Sequence, residues 1–182
     1  KTYGSAKVAY IGISDPQTIS KSGASFKNSD GSAAYSFADG SSGKKLYEAV
    51  QNAIDEAKAA GADYIVAIGH LSTTGDAAYT PKSVIENTTG IQAFIDGNTH
   101  TAIVGEKVKG ADGGEALLTC AGAGLNNIGV LTITAGKSIS SQLVNSYRLR
   151  DIKTKDGIDA LTKKYKQNLQ ESFATTSSTY SV

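Results

Sequence analysis

The chain has 182 residues, enough for one domain with a real core or for a large piece of a bigger one. Its 18 Lys and Arg against 17 Asp and Glu leave a formal charge of +1, so nothing marks it as a binder of nucleic acid or of anionic membrane, and any site must be local. A hydrophobic fraction of 40% suits a globular protein, and no apolar run approaches the roughly 20 residues that span a bilayer. Cys120 is the single cysteine, which rules out a disulfide framework and a cysteine-based zinc motif and leaves the redox compartment open. The first residues, "KTYGSAKVAYIG", include neither a start methionine nor a basic-then-apolar leader, so the chain is expected to be cut from something longer, with any targeting information removed.

"KVAYIGI" (Lys7 to Ile13) is rich in β-branched and aromatic residues and predicts a buried strand ended by "SDPQ". Residues 20–43 are crowded with Ser, Gly, Asn and Asp and predict an irregular excursion with turns. From Lys44 onward Leu46, Val50, Ile54 and Ala57 fall on one stripe of a helix, which Gly61 ends because glycine accepts the left-handed cap position. "DYIVAIGHLS" predicts a second strand running into Gly69-His70. "TPKSVIENTTG" predicts a short helix with Thr80 as N-cap and Pro81 at the first helical position. "IQAFID" predicts a third strand, which runs into the polar turn holding His100. Beyond it "GEALLTCAGAG", "NIGVLTIT" and "SISSQLVNSYRL" are strand-like, the last two joined through "AGK" as a hairpin expected at the antiparallel edge of a mixed sheet. Ile158, Leu161, Tyr165, Leu169 and Phe173 trace a last helical stripe, followed by the polar tail "ATTSSTYSV".

Two β-α units, each followed by a continuous apolar strand, imply parallel strands covered on both faces. Ligands in such sheets collect at the carboxyl ends of the strands. The two histidines of the chain, His70 and His100, both follow strands directly at such ends. An isolated loop histidine is ordinarily solvated or hydrogen bonded, and catalytic Zn, Mn or Fe sites recruit about three protein ligands or more, carboxylates among them. Asp96 and Asn98 flank His100 and carry oxygen donors, although Asp96 also suits a simple turn cap. "AGAGLNN" lacks the lysine of a P-loop and the glycine spacing of a dinucleotide fold, so its glycines are read as close backbone packing near the site. The loop from Ser72 to Tyr79 lies beside the candidate site, where it either touches substrate or merely connects. Asn87 heads a glycosylation sequon on a predicted helix end, and "TKKYKQN" reads as a solvated basic face.

"KVAYIGIS", "AAGADYIVAIGHLS" and "TTGIQAFIDGNTHT", in that order, followed by "TCAGAGLNNIGVLTIT", resemble the second half of the calcineurin-like metallophosphoesterase domain of 5′-nucleotidases and 2′,3′-cyclic-nucleotide phosphodiesterases, from about Lys7 to Thr134. The resemblance implies an α/β fold that is part of a four-layer α/β/β/α sandwich with mixed sheets. Residues 1–150 would form the C-terminal half of the metallophosphoesterase domain, and residues 151–182 a linker helix and polar tail. It also implies that His70 binds one ion of a two-metal centre and His100 the other, with Zn, Mn or similar divalent ions. Asn98 stands where the family's "GHSHT" turn has its first histidine, and an amide oxygen is a neutral, weaker ligand than imidazole.

The family's remaining ligands come from an Asp-x-His motif, a bridging aspartate and a Gly-Asn-His-Glu/Asp motif, none of which occurs here. The implied function is therefore a fragment of a secreted or surface 5′-nucleotidase-like phosphohydrolase. Its substrate would be a nucleotide and its partner the missing N-terminal half of the same domain, and the fragment would be inactive alone. Without that half, an exposed apolar sheet face predicts self-association. The alternative is a non-catalytic α/β interaction or scaffold module that keeps the fold without the metal centre.

Overall fold

The computed structural model describes residues 1–21, 26–38, 40, 42–72, 76–134, 136, 138–149 and 157–177. The chain divides into two compact units, Lys1–Ser146 and Tyr147–Val182. In the first unit, β1 (Thr2–Tyr3), β2 (Ala6–Ser14), β3 (Tyr64–His70), β4 (Ala93–Ile95), β5 (Ala102–Lys109) and β6 (Glu115–Ala121) form one mixed sheet in the order β1-β2-β3-β4-β6-β5. Strands β2, β3, β4 and β6 run parallel, with Ser14 opposite His70, Ile68 opposite Ile95 and Ile95 opposite Thr119 at their carboxyl ends. The expected parallel core is present, and it brings four strand ends to one edge.

Helix α1 (Thr18–Lys21) is a single turn. Within the irregular excursion that follows it, the described residues contain one isolated antiparallel bridge, Lys27 to Ala33, beside edge-on contacts of Phe26 with Tyr35 and Phe37. Helix α2 (Lys44–Ala59) buries Leu46, Val50 and Ile54, the predicted stripe, and Gly61 follows it at φ +80°. Helix α3 (Pro81–Glu86) starts as its residues predict, with Thr80 Oγ1 accepting from the Ser83 amide at 3.1 Å and Pro81 in the first turn. Both helices cover one face of the sheet, where Ile13, Ile65, Ala67, Leu71, Phe94, Ala116 and Leu118 join their apolar residues in a continuous core.

One expectation is corrected. The hairpin of β7 (Asn127–Thr134) and β8 (Ser138–Asn145) is antiparallel, yet it is not an edge of the main sheet. It forms a separate two-stranded sheet whose Leu131, Ile133 and Ile139 pack on Val8, Val66 and Ala93 of the opposite face, because those side chains have apolar surface to bury there. Segment 102–109, which the spacing analysis does not single out, is strand β5, antiparallel to β6 with a register shift between Ile103 and Glu106. The described residues of the first unit thus build helices, a six-stranded sheet and a small second sheet.

In the second unit, α4 (Ile158–Ser177) is the predicted last helix, and it runs into the segment expected as polar tail, since Ala174 to Ser177 continue its turns. Ile158, Leu161 and Tyr165 of its stripe are about half exposed. Residues 178–182 of the tail, and Ala135 and Lys137 of the hairpin turn, lie outside the described residues.

Candidate metal centre

The period of two along a strand decides which side chains can meet. On β3, Ile65 and Ala67 face the helices, so Tyr64, Val66, Ile68 and His70 face the other way. On β4, Phe94 points to the helices and Ala93 and Ile95 point away. His70 therefore leaves the sheet on the face that the helices do not cover. Its imidazole lies over the turn after β4: a Cβ added to Gly97 would be 3.3 Å from His70 Nδ1. The structure thus brings the two strand ends into contact at the position where His70 stands.

The turn itself is built from left-handed backbone. Asn98 has φ +70° and His100 φ +59°, with the Thr99 amide donating to Gly97 O at 2.9 Å between them. Asparagine and histidine are among the few non-glycine residues that tolerate this region. A turn with two such positions in three residues points successive side chains in directions that an extended chain could not. Asn98 is half-buried and His100 exposed. The end of β6 closes in behind them, since a Cβ on Gly122, at φ +85°, would approach His100 O to 3.6 Å and Ala102 Cβ to 3.4 Å. Gly122 and Gly124 of "AGAGLNN" both sit at positive φ with only ordinary contact distances around an added Cβ, so backbone conformation rather than close packing calls for glycine there.

Asp96 is the buried polar residue beneath this edge, 7% exposed. Its Oδ1 accepts from the Leu71 amide at 2.9 Å, so it caps the end of the neighbouring strand as well as meeting the Gly97 amide of its own turn. Gly69 leaves the space for it, because a Cβ there would sit 3.0 Å from Asp96 Oδ1 and 2.5 Å from the Phe94 ring. Burial raises the Asp96 pKa above the ordinary carboxylate value, opposed by the amides of Leu71 and Gly97 and by the nearness of His70. Its Oδ2 is buried without a hydrogen-bond partner.

Sequence reasoning missed Asp15, which follows Ser14 at the adjacent strand end. Asp15 is buried, accepts from the Gln17 amide at 2.9 Å and pairs with Lys21 at 3.3 Å. Its signal was available: it occupies the same position after β2 as Leu71 does after β3.

Two imidazoles and an amide oxygen are donor types that Zn or Mn accepts, and Asp96 Oδ2 is buried without a hydrogen-bond partner. Among the described residues, no three His, Cys, Asp or Glu side chains converge to hold a metal ion. By donor type alone, His70, Asn98 and His100 suit a divalent ion. Of the loop from Ser72 to Tyr79, residues 73–75 lie outside the described residues, and Asp76 caps a short 3-10 turn at 77–79. Asn87 of the sequon is the C-cap of α3, with Nδ2 donating to Ser83 O at 2.8 Å. Among the described residues no helix is long and apolar enough to cross a membrane.

No protein-family model and no curated protein matches the sequence. Solved structures do. The chain is similar to the 5′-nucleotidase precursor from Thermus thermophilus, at 22% identity and a TM-score of 0.59, over 78% of this chain and 28% of that one. It is similar to calcineurin-like phosphoesterase YfkN from Bacillus subtilis, at 20% identity and 0.60, over 91% of this chain and 52% of that one. A third match is the NAD nucleotidase of Haemophilus influenzae, at 14% identity and 0.57, over 80% and 25%. The chain spans between 25% and 52% of the length of these proteins. Its mixed α/β architecture is the fold found in part of the calcineurin-like phosphoesterases and 5′-nucleotidases.

Proposed function

We propose that this chain is a segment of a 5′-nucleotidase-like phosphohydrolase that contributes His70, Asn98 and His100 to one side of a two-metal centre. The observation that carries the reading is the packing of His70 Nδ1 over Gly97, at the mouth of the turn that bears Asn98 and His100. In this reading His70 serves one divalent ion, Zn or Mn, His100 the other, and the Asn98 amide oxygen is a weaker donor to the first. Two such ions supply the chemistry of phosphate-ester cleavage by polarising the phosphoryl group and generating hydroxide from bound water.

The remaining ligands and the catalytic acid–base group would come from an N-terminal half of the same domain, covering the sheet face on which His70 stands. Residues 1–150 form the C-terminal half of the domain and 151–182 a linker helix with a polar tail. The substrate is a nucleotide, and the parent protein is secreted or exposed at the cell surface. Alone, the chain hydrolyses phosphate esters at no useful rate. The lack of three convergent His, Cys, Asp or Glu among the described residues also favours a second reading, a non-catalytic α/β module that keeps the fold without the metals.

Calorimetric titration with Mn²⁺ and Zn²⁺, of the native chain and of a His70→Ala, His100→Ala variant, separates the two. Binding by the native chain that disappears in the variant supports the phosphohydrolase reading. No binding by the native chain favours the module.

A further inference from the structure

The β3–β4 ladder stops at the pair Ile68 and Ile95, so no ladder bond links the two strands at the residues that carry the proposed ligands. Beyond that pair, what joins the strand ends is a side chain. Asp96 leaves β4 on the helix side of the sheet, passes through the space that Gly69 leaves open, and accepts from the amide of Leu71, the residue after His70. Asp96 also stands directly before Gly97, over which the His70 imidazole lies. One carboxylate therefore grips the strand end of His70 from beneath while anchoring the start of the turn that carries Asn98 and His100.

Packing alone does not account for an aspartate here. Oδ1 makes the bond to Leu71 while Oδ2 is buried with no partner, a desolvation cost that packing alone does not explain. Residues that hold metal ligands in place from outside the coordination shell commonly set metal affinity as well as ligand orientation.

We infer that Asp96 is a positioning residue for the proposed metal edge: its carboxyl group, through the Leu71 amide, fixes the strand end of His70 against the Gly97–His100 turn. The inference rests on the metallophosphoesterase reading for its purpose, but not for its geometry, and the two are tested apart. In the metal-free native chain the His70 ring protons show a nuclear Overhauser contact with the Gly97 α-protons. Asp96→Ala loses that contact and the exchange protection of the Leu71 amide, while core amides such as Val66 and Phe94 stay protected. Asp96→Asn, which keeps an acceptor for Leu71, retains the contact and the Leu71 protection, whereas Asp96→Ala also binds Mn²⁺ about tenfold more weakly than the native chain.

Persistence of the His70–Gly97 contact in Asp96→Ala overturns the inference, and so does loss of that contact in a folded Asp96→Asn. Should the alanine variant fail to fold, the asparagine variant still decides it through the contact and the Leu71 protection. Should the native chain bind no Mn²⁺, the functional reading fails, and the Overhauser comparison still decides the positioning role.

Discussion

Asn98 and His100 show how a residue type can satisfy a backbone and a site together. Both sit at positive φ, where most side chains cost about 1–3 kcal/mol and Asn or His cost less. Asn98→His places an imidazole where the resembled family has one, on a backbone that histidine also tolerates. It is expected to tighten Mn²⁺ or Zn²⁺ binding at least several-fold in calorimetry, with a loss of folding stability below about 1 kcal/mol by urea titration. Unchanged affinity would remove Asn98 from the ligand set.

Asp96 sets fold and site against each other. Burial raises its pKa, so the folded chain keeps the proton at pH values where the unfolded chain has lost it. The folded state then binds more protons than the unfolded one, and stability falls as pH rises from the ordinary value of 3.8 through the raised folded value. Asp96→Asn, which cannot ionise, should flatten that part of the profile, checked by urea midpoints between pH 4 and 7. The position of His70 at the end of β3 was legible from the sequence because apolar runs mark where strands stop, whereas His100 lies five residues past the end of β4, in the turn that leads into β5. The role of Asp96 was not, because it depends on the space over Gly69, which appears only when β3 and β4 lie side by side.

At the scale of elements, legibility followed burial. Strand β3 reads as a strand because Ile65, Val66 and Ala67 are all buried between two covered faces, and α2 reads as a helix because Leu46, Val50 and Ile54 recur on one stripe. Strand β5 lies at the edge of the sheet, with Val108 as its one fully buried residue and a bulge that breaks its alternation, so its apolar pattern is too thin to stand out. The hairpin of β7 and β8 is visible in sequence, but its placement is a tertiary fact, decided by the apolar surface of Val8, Val66 and Ala93.

Helix α3 is the element whose local signals are most complete, and its packing against β5, the strand that follows the His100 turn, makes its stability matter to the site. Thr80→Ala removes the acceptor for the Ser83 amide and should cost about 1 kcal/mol in chemical denaturation. Phe94, with no exposed surface and touching the space over Gly69, is the more sensitive test of the core. Phe94→Ala should cost about 3–5 kcal/mol by cavity formation. If instead it costs less than Thr80→Ala, the core around β4 is not packed as described.

For the first unit as a whole, the decisive asymmetry is between the two faces of the main sheet. One is sealed by α2 and α3. The other is covered by β7 and β8 over Val8, Val66 and Ala93, but farther along the same strands Tyr10 is 49% and Ile68 46% exposed. Both project on the side that His70 takes, by the two-residue period from Val8 and Val66. Half-exposed side chains of this size on one face in the middle of a sheet form the kind of surface that associates.

The chain is therefore expected to self-associate in a concentration-dependent way by sedimentation velocity. Tyr10→Ser with Ile68→Ser should shift it toward monomer without lowering its urea midpoint, since neither side chain is part of the buried core. Covering the same face with the upstream segment of a longer protein should suppress association and protect the Ile68 amide from exchange together. Association that persists in the double variant would move the contact surface elsewhere, and a native chain that stays monomeric at high concentration would mean this face is already soluble as it stands.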